Sequence, residues 1–134
     1  MHEPPRILIA DDQSHIVKVL MRRLQEAGYD VTPAFDGDEV LAQAQRQQPD
    51  LYILDVRMPK LNGYEVCERL RSNPSTTQIP VMLCSGDNDE SLRLMNKSIE
   101  LGAVSWLHKP FRSQELLEHV RYALQRPRAA GGRA

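Results

Sequence analysis

The sequence predicts an α/β domain built on a doubly wound, five-stranded parallel sheet in the strand order 2-1-3-4-5, with helices on both faces. Three observations lead there. Five short apolar runs alternate with longer amphipathic ones along the 134 residues, the repeat expected when helices cover a parallel sheet. The first, third and fourth runs are apolar at consecutive positions, as strands buried on both faces are. The second contains Pro33, which has no N–H for a central ladder and so belongs at an edge. The fifth run is the shortest and takes the other edge, which gives one of the two common doubly wound orders.

Strand one is Arg6–Ala10 (RILIA), and the helix after it, near 14–27, carries Ile16, Leu20 and Leu24 at i, i+4 and i+8 with Val17 beside them. Gly28 stands where a left-handed C-cap ends a helix. Strand two is 29–34 (YDVTPA), followed by a helix near 37–47. Strand three is Leu51–Asp55 (LYILD), followed by a helix near 63–73. Strand four is 80–84 (PVMLC), and its helix, near 89–101, is closed by Gly102. Strand five is Ser105–His108 (SWLH); in the last helix, near 112–126, Leu116, Val120 and Leu124 repeat the first helix's spacing. One domain spans 6–126, and the small, polar, glycine-rich remainder at 127–134 is expected to be disordered.

Bulk properties exclude several classes. The length suits one domain that buries about two-thirds of its unfolded surface. A formal net charge of −1 gives no electrostatic reason for direct nucleic-acid binding. No apolar run approaches the ~20 residues of a bilayer span, and the opening MHEPPR lacks a signal-peptide core. The expectation is a cytoplasmic protein without membrane insertion. Cys67 and Cys84 sit in apolar contexts without metal-type spacing and read as buried free thiols of a reducing compartment. His15 and His108 read as solvent-facing or packing residues; His2 and His119 suggest no role.

In such a sheet, chemistry gathers outside the carboxyl ends of the strands. The residues arriving there are Asp11 and Asp12 after strand one, Asp55 at the end of strand three, Ser85 and Gly86 after strand four, and His108, Lys109 and Pro110 at the end of strand five. Strands one, three and four are neighbours, so three carboxylates crowd one end of the sheet beside a hydroxyl and an ammonium. Like charges that close raise one another's pKa and destabilise the fold unless a cation compensates. Lys109 supplies one positive charge and a divalent metal the rest; an acid-rich, all-oxygen site that admits water suits Mg2+. A metal among carboxylates, a lysine and a hydroxyl are the parts that phosphoryl transfer needs. Asp55, on the central strand, is then the nucleophile, since carboxylates form aspartyl phosphates. Asp11 and Asp12 hold the metal, and Lys109 and Ser85 bind the phosphoryl oxygens.

Each residue alone also has a plainer reading. Asp11 and Asp12 are favoured caps for the first helix. Asp55 can be a turn former ahead of Met58 and Pro59, Ser85 with Gly86 a tight turn, Lys109 a solvated charge, and Trp106 core packing.

Taken in order, ILIADD, LYILDVRMPKLNGYEV, IPVMLCSG and WLHKPF resemble the receiver domain of two-component response regulators, the chemotaxis-regulator-like version of the flavodoxin-like fold, over about residues 6–126. The resemblance implies that Asp55 is the phospho-acceptor, Asp12 the more direct Mg2+ ligand of the acidic pair, and the backbone carbonyl of Arg57 a third protein ligand. It implies Ser85 as switch hydroxyl, Trp106 as switch aromatic, Lys109 as the conserved-type lysine, and a cis peptide between Lys109 and Pro110, which an X-Pro bond tolerates. Arg57 and Asp87 match the positions that tune attack of water on the acyl phosphate. The implied partners are a sensor histidine kinase or phosphotransfer protein and a downstream protein. The implied activity is a switch remodelling the surface of helix four, strand five and helix five, not an enzyme acting on a separate substrate.

The chain departs from the commonest pattern in three places. Ser85 stands where threonine is more frequent. The interval from Ser85 to Lys109 is two residues longer than usual, which places an insertion in the loop before helix four or at its start. Ser105 stands where many DNA-binding members have an acid before the switch aromatic. Rival readings are a phosphate-independent interaction module, which the complete acid set argues against, and a Mg2+-dependent aspartyl phosphatase, which would need an acid where Arg57 stands. A flavin binder would suffer repulsion of the cofactor phosphate by Asp11 and Asp12.

Overall fold

A computed structural model describes residues 3–86 and 91–126. Five parallel strands, β1 (Arg6–Ala10), β2 (Asp30–Ala34), β3 (Leu51–Asp55), β4 (Val81–Ser85) and β5 (Ser105–His108), form one sheet in the order β2-β1-β3-β4-β5. The helices are α1 (Ser14–Glu26), α2 (Gly37–Arg46), α3 (Gly63–Ser72), α4 (Ser91–Glu100) and α5 (Ser113–Gln125). Pro33 lies on the edge strand β2 opposite Ile9.

The period of two in each strand divides the apolar residues between two cores. Leu8, Tyr52, Leu54, Val81 and Leu83 point to one face, where Val40 of α2, Val66 and Leu70 of α3 and Leu94 of α4 cover them. Ile7, Ile9, Leu51, Ile53, Met82 and Leu107 point to the other, beneath Val17 and Leu24 of α1 and Leu116 and Val120 of α5. Each fully buried Leu or Ile contributes about 1.5–3 kcal/mol of transfer free energy, and the doubly covered sheet leaves the carboxyl ends of its strands as the free rim. Cys67 and Cys84 are buried free thiols; burial pushes them up to about 11 and 12, so neither is a reactive thiolate.

Two element boundaries differ from the sequence reading, each for a backbone reason. Tyr29 lies in the turn that closes α1, not in β2: its N–H donates to Leu24 O at 3.1 Å once Gly28 has turned the chain at φ 98°. Pro80 cannot donate, and accepts from Tyr52 N at 3.0 Å as a prelude to β4, so that strand runs Val81–Ser85 and includes Ser85. Gly102 closes α4 at φ 75°. The expected beginning of helix four at 89–90, Asp87, and the expected disorder of 127–134 all lie outside the described residues. Among the described residues no helix is long and apolar enough to cross a membrane.

Candidate functional site

The chain leaves β1 at Asp11, whose N–H still pairs with Ala34 O at 3.2 Å. Asp11 is 2 % exposed and its Oδ1 accepts from Gln13 N at 3.0 Å. It does not cap α1: the N-cap is Gln13, with no side-chain cap bond. The helix-cap reading of Asp11 and Asp12 is therefore set aside, and both acids are left to face the rim. Asp12 is exposed.

Asp55 is the last residue of β3 and is 6 % exposed. The loop between β3 and α3 fixes its position. Val56 N donates to Cys84 O at 2.8 Å, and Gly63 N returns to Val56 O at 2.9 Å. At Gly63 a Cβ would stand 2.5 Å from Asp55 O and 2.9 Å from the Val56 Cα, so only glycine lets α3 begin this close. Asn62 and Glu65 complete a capping box there, with side chain–backbone bonds of 2.8 and 3.0 Å. The sequence reading missed this anchor, although the N-x-x-E spacing ahead of an apolar run is its signal.

Ser85 ends β4 at 1 % exposure, and its carbonyl accepts from Lys109 N at 2.7 Å. That bond brings Lys109 over the rim. Its Nζ lies 2.6 Å from Asp11 Oδ2 and 3.1 Å from Asp55 Oδ1. The Lys109–Pro110 peptide is cis.

The charges explain the titration. Burial, with the Asp11 and Asp12 charges added, outweighs the pull of Lys109 and raises Asp55 from 3.8 to about 6. For Lys109, burial works against the charge, but the hydrogen bond to Asp11 and the Asp55 charge outweigh it, and its pKa is raised. The lysine therefore stays an ammonium at neutral pH.

Asp11, Asp12 and Asp55 each bring a carboxylate oxygen within 4.8 Å of the others. One ammonium cannot balance three ionised acids, and the donor set is all hard oxygen with one exposed member, so the residues fit a hard divalent cation such as Mg2+. Arg57 stands two residues beyond Asp55 with an exposed side chain.

Trp106 lies apart from this acid cluster. It is half-buried on β5, beside Leu83 in the register and against the core beneath α2, α3 and α4. With Val104, Ser105, Glu118, His119 and Tyr122 it lines a groove of about 340 Å³ between β5 and α5. Ser105 is buried, and its hydroxyl hydrogen-bonds to His119 Nδ1. That corrects the view of His119 as a residue without a role: it supplies the polar partner that a serine at the usual acidic position needs. His15 is exposed and His108 half-buried.

The family model described as "response regulator receiver domain" matches residues 7–121. The chain belongs to the response-regulator receiver family. The alkaline phosphatase synthesis transcriptional regulatory protein PhoP of Bacillus subtilis (strain 168) is 38 % identical over 125 residues, covering 93 % of this chain and 50 % of that protein. The DNA-binding dual master transcriptional regulator RpaA of Synechocystis is 40 % identical over 122 residues, covering 91 % of this chain and 50 % of its own length. This receiver chain thus spans about half the length of these curated relatives. Among solved structures, a putative response regulator from Chloroflexus aurantiacus superposes with a TM-score of 0.85 at 36 % identity, covering 92 % of this chain and 99 % of the other. The chemotaxis protein CheY4 of Vibrio cholerae gives 0.83 at 32 % identity, covering 90 % and 99 %.

Proposed function

We propose that this receiver domain is a phosphorylation-controlled signalling switch with Asp55 as the phospho-acceptor. The observation that carries the reading is one arrangement: a buried carboxylate at the end of the central strand, 3.1 Å from an ammonium, in a cluster with two further acids. Mg2+ held by Asp11, Asp12, Asp55 and the backbone carbonyl of Arg57 would supply the positive charge that lets an anionic phosphoryl group approach these acids. An Asp55 oxygen attacks phosphorus, the leaving group departs with the P–O or P–N bonding pair, and an aspartyl phosphate results. Lys109 turns its ammonium to a phosphoryl oxygen, and the Ser85 hydroxyl donates to another. The donor is a phosphohistidine on a sensor histidine kinase or phosphotransfer protein, or a small phosphodonor.

The modification adds about −1.5 to −2 charge and three strong acceptors. Drawing Ser85 toward the phosphoryl group opens space on the Trp106 side of β4, and the surface of α4, β5 and α5 is remodelled for a downstream partner. PhoP and RpaA are transcriptional regulators by name, so control of transcription is the expected output; a formal net charge of −1 gives this domain itself no electrostatic reason to bind nucleic acid directly.

The test uses Trp106 as reporter. Beryllofluoride, a phosphoryl mimic, added with Mg2+ is expected to change tryptophan fluorescence in the native chain. Ser85→Ala should bind the mimic with a much smaller change. An equal response in both would remove Ser85 from the switch; no response in the native chain would count against switching through Trp106.

A further inference from the structure

The loop that carries Arg57 is held at its base and at its tip. At the base, Gly63 N donates to Val56 O at 2.9 Å. At the tip, Leu61 N donates to Pro59 O at 2.9 Å across Lys60, whose φ is 71°. A bond from residue i+2 back to residue i over a positive central φ is the strained form of γ-turn. Among the described residues Lys60 is the only non-glycine with positive φ, and such a conformation persists only where its surroundings over-determine it.

Those surroundings belong to α2. Gly37, the first residue of that helix, points its N–H at the same Pro59 O, 3.5 Å away. A Cβ on Gly37 would stand 2.4 Å from Leu61 O and 2.5 Å from Leu61 Cβ, so the backbone of α2 lies directly on the turn. Gly37 is not needed for its own backbone angle, since only Gly28 and Gly102 among the described glycines have positive φ; it is needed for the close approach. Asp36, the N-cap, accepts from Glu39 N through Oδ1 at 2.8 Å and keeps Oδ2 3.5 Å from Lys60 Nζ. Lys60 is exposed, so this ion pair contributes little. Beneath the turn, Met58 is buried and Leu61 packs against the core that contains Val40 of α2.

A carboxylate ligand can be brought to a metal by side-chain rotation, whereas a carbonyl ligand is placed only by its backbone. On the reading that Mg2+ is held by the acid cluster and the Arg57 carbonyl, we propose that Gly37 and Lys60 are positioning residues for the cation. The start of α2 presses the strained turn into one geometry, and the turn fixes the backbone that presents the Arg57 carbonyl. Gly37, which lies in a different element from every proposed ligand, thereby sets part of the metal affinity. By reciprocity, bound Mg2+ steadies the turn and the first residues of α2.

The experiment measures Mg2+ affinity by isothermal titration calorimetry in the native chain, Gly37→Ala, Lys60→Val and Lys60→Gly, beside urea melts in metal-free buffer. A β-branched residue is poorly tolerated at positive φ, whereas glycine adopts it freely and loses only the pair with Asp36. Groups that orient a metal ligand are worth about 10–100-fold in affinity. With one ligand of several affected, Gly37→Ala and Lys60→Val should each weaken Mg2+ binding about tenfold, and Lys60→Gly should stay within about twofold of the native chain. The double variant Gly37→Ala/Lys60→Val should lose little more than either single one, because both act through the same turn. In the native chain Mg2+ should also slow hydrogen exchange at the Gly37 and Glu39 amides. Lower stability with unchanged Mg2+ affinity in Gly37→Ala and Lys60→Val would make the contact purely structural and overturn the positioning role. A loss in Lys60→Gly equal to that in Lys60→Val would assign the effect to the ammonium and overturn it as well. A native chain that binds no Mg2+ would instead overturn the reading of the acid cluster as a metal site.

Discussion

The ammonium of Lys109 bridges two buried carboxylates that reach the rim from different strands, 2.6 Å from Asp11 Oδ2 and 3.1 Å from Asp55 Oδ1. It is the resident counter-charge of the site. Removing one member of a buried ion cluster leaves uncompensated charge, which costs about 3–5 kcal/mol when burial is complete. Lys109 retains some exposure, so Lys109→Met is expected to destabilise the metal-free protein at pH 7 by about 2–3 kcal/mol. Mg2+ should restore more stability to this variant than it adds to the native chain. Urea melts with and without Mg2+ measure both; equal Mg2+ gains would show that Lys109 is not the balancing charge.

Asp55 gives the stability its pH dependence. Its carboxyl is raised from 3.8 to about 6 in the folded state, so across that window the folded protein binds a proton that the unfolded chain has lost. Stability contributed by this group is therefore full below about pH 4 and falls as pH rises through about 6. Above that, ionised Asp55 costs about 2–3 kcal/mol. In metal-free buffer Asp55→Asn should be the more stable protein at pH 7, with the advantage shrinking toward pH 4. A difference that does not vary with pH would contradict this origin.

Gly63 holds the acceptor in place by having no side chain. A Cβ there would press within 2.5 Å of Asp55 O, and overpacking of this kind costs about 1–3 kcal/mol. Gly63→Ala is expected to lower stability by that amount and to slow phosphoryl uptake at Asp55, because the strain falls on the backbone that carries the nucleophile. Unchanged uptake in the destabilised variant would mean that the shift is absorbed by α3.

Arg57 and Asp87 are proposed to obstruct the water that hydrolyses the acyl phosphate. Replacing both with alanine is expected to shorten the lifetime of the phosphorylated form severalfold, read by mass after the donor is removed. The same lifetime in both proteins would exclude a shielding role.

Much of this was legible in the residues because the signals were local. Pro33 placed an edge strand through its missing N–H, and the acid ending LYILD marked the rim, since a carboxylate at the mouth of a buried strand needs a charged partner. The short-range detail was less legible where a side chain and its backbone partner compete. Tyr29 reads as a strand residue by type, yet its N–H is taken by the end of α1. The bond from Ser105 to His119 joins residues fourteen apart across β5 and α5, and nothing in either residue's neighbourhood announces it. The contact of Gly37 with Leu61 likewise exists only after α2 has packed beside the loop after β3. Sequence period places a residue on a face; it does not say which distant backbone meets it there.

The most direct measurement is intact mass after incubation with acetyl phosphate and Mg2+, run beside Asp55→Asn and a sample without metal. One added phosphoryl group in the native chain, absent from both controls, is the expected result. A phosphoryl group on the Asp55→Asn protein, or no gain from acetyl phosphate, phosphoramidate or a phosphorylated histidine kinase, would contradict Asp55 as the acceptor.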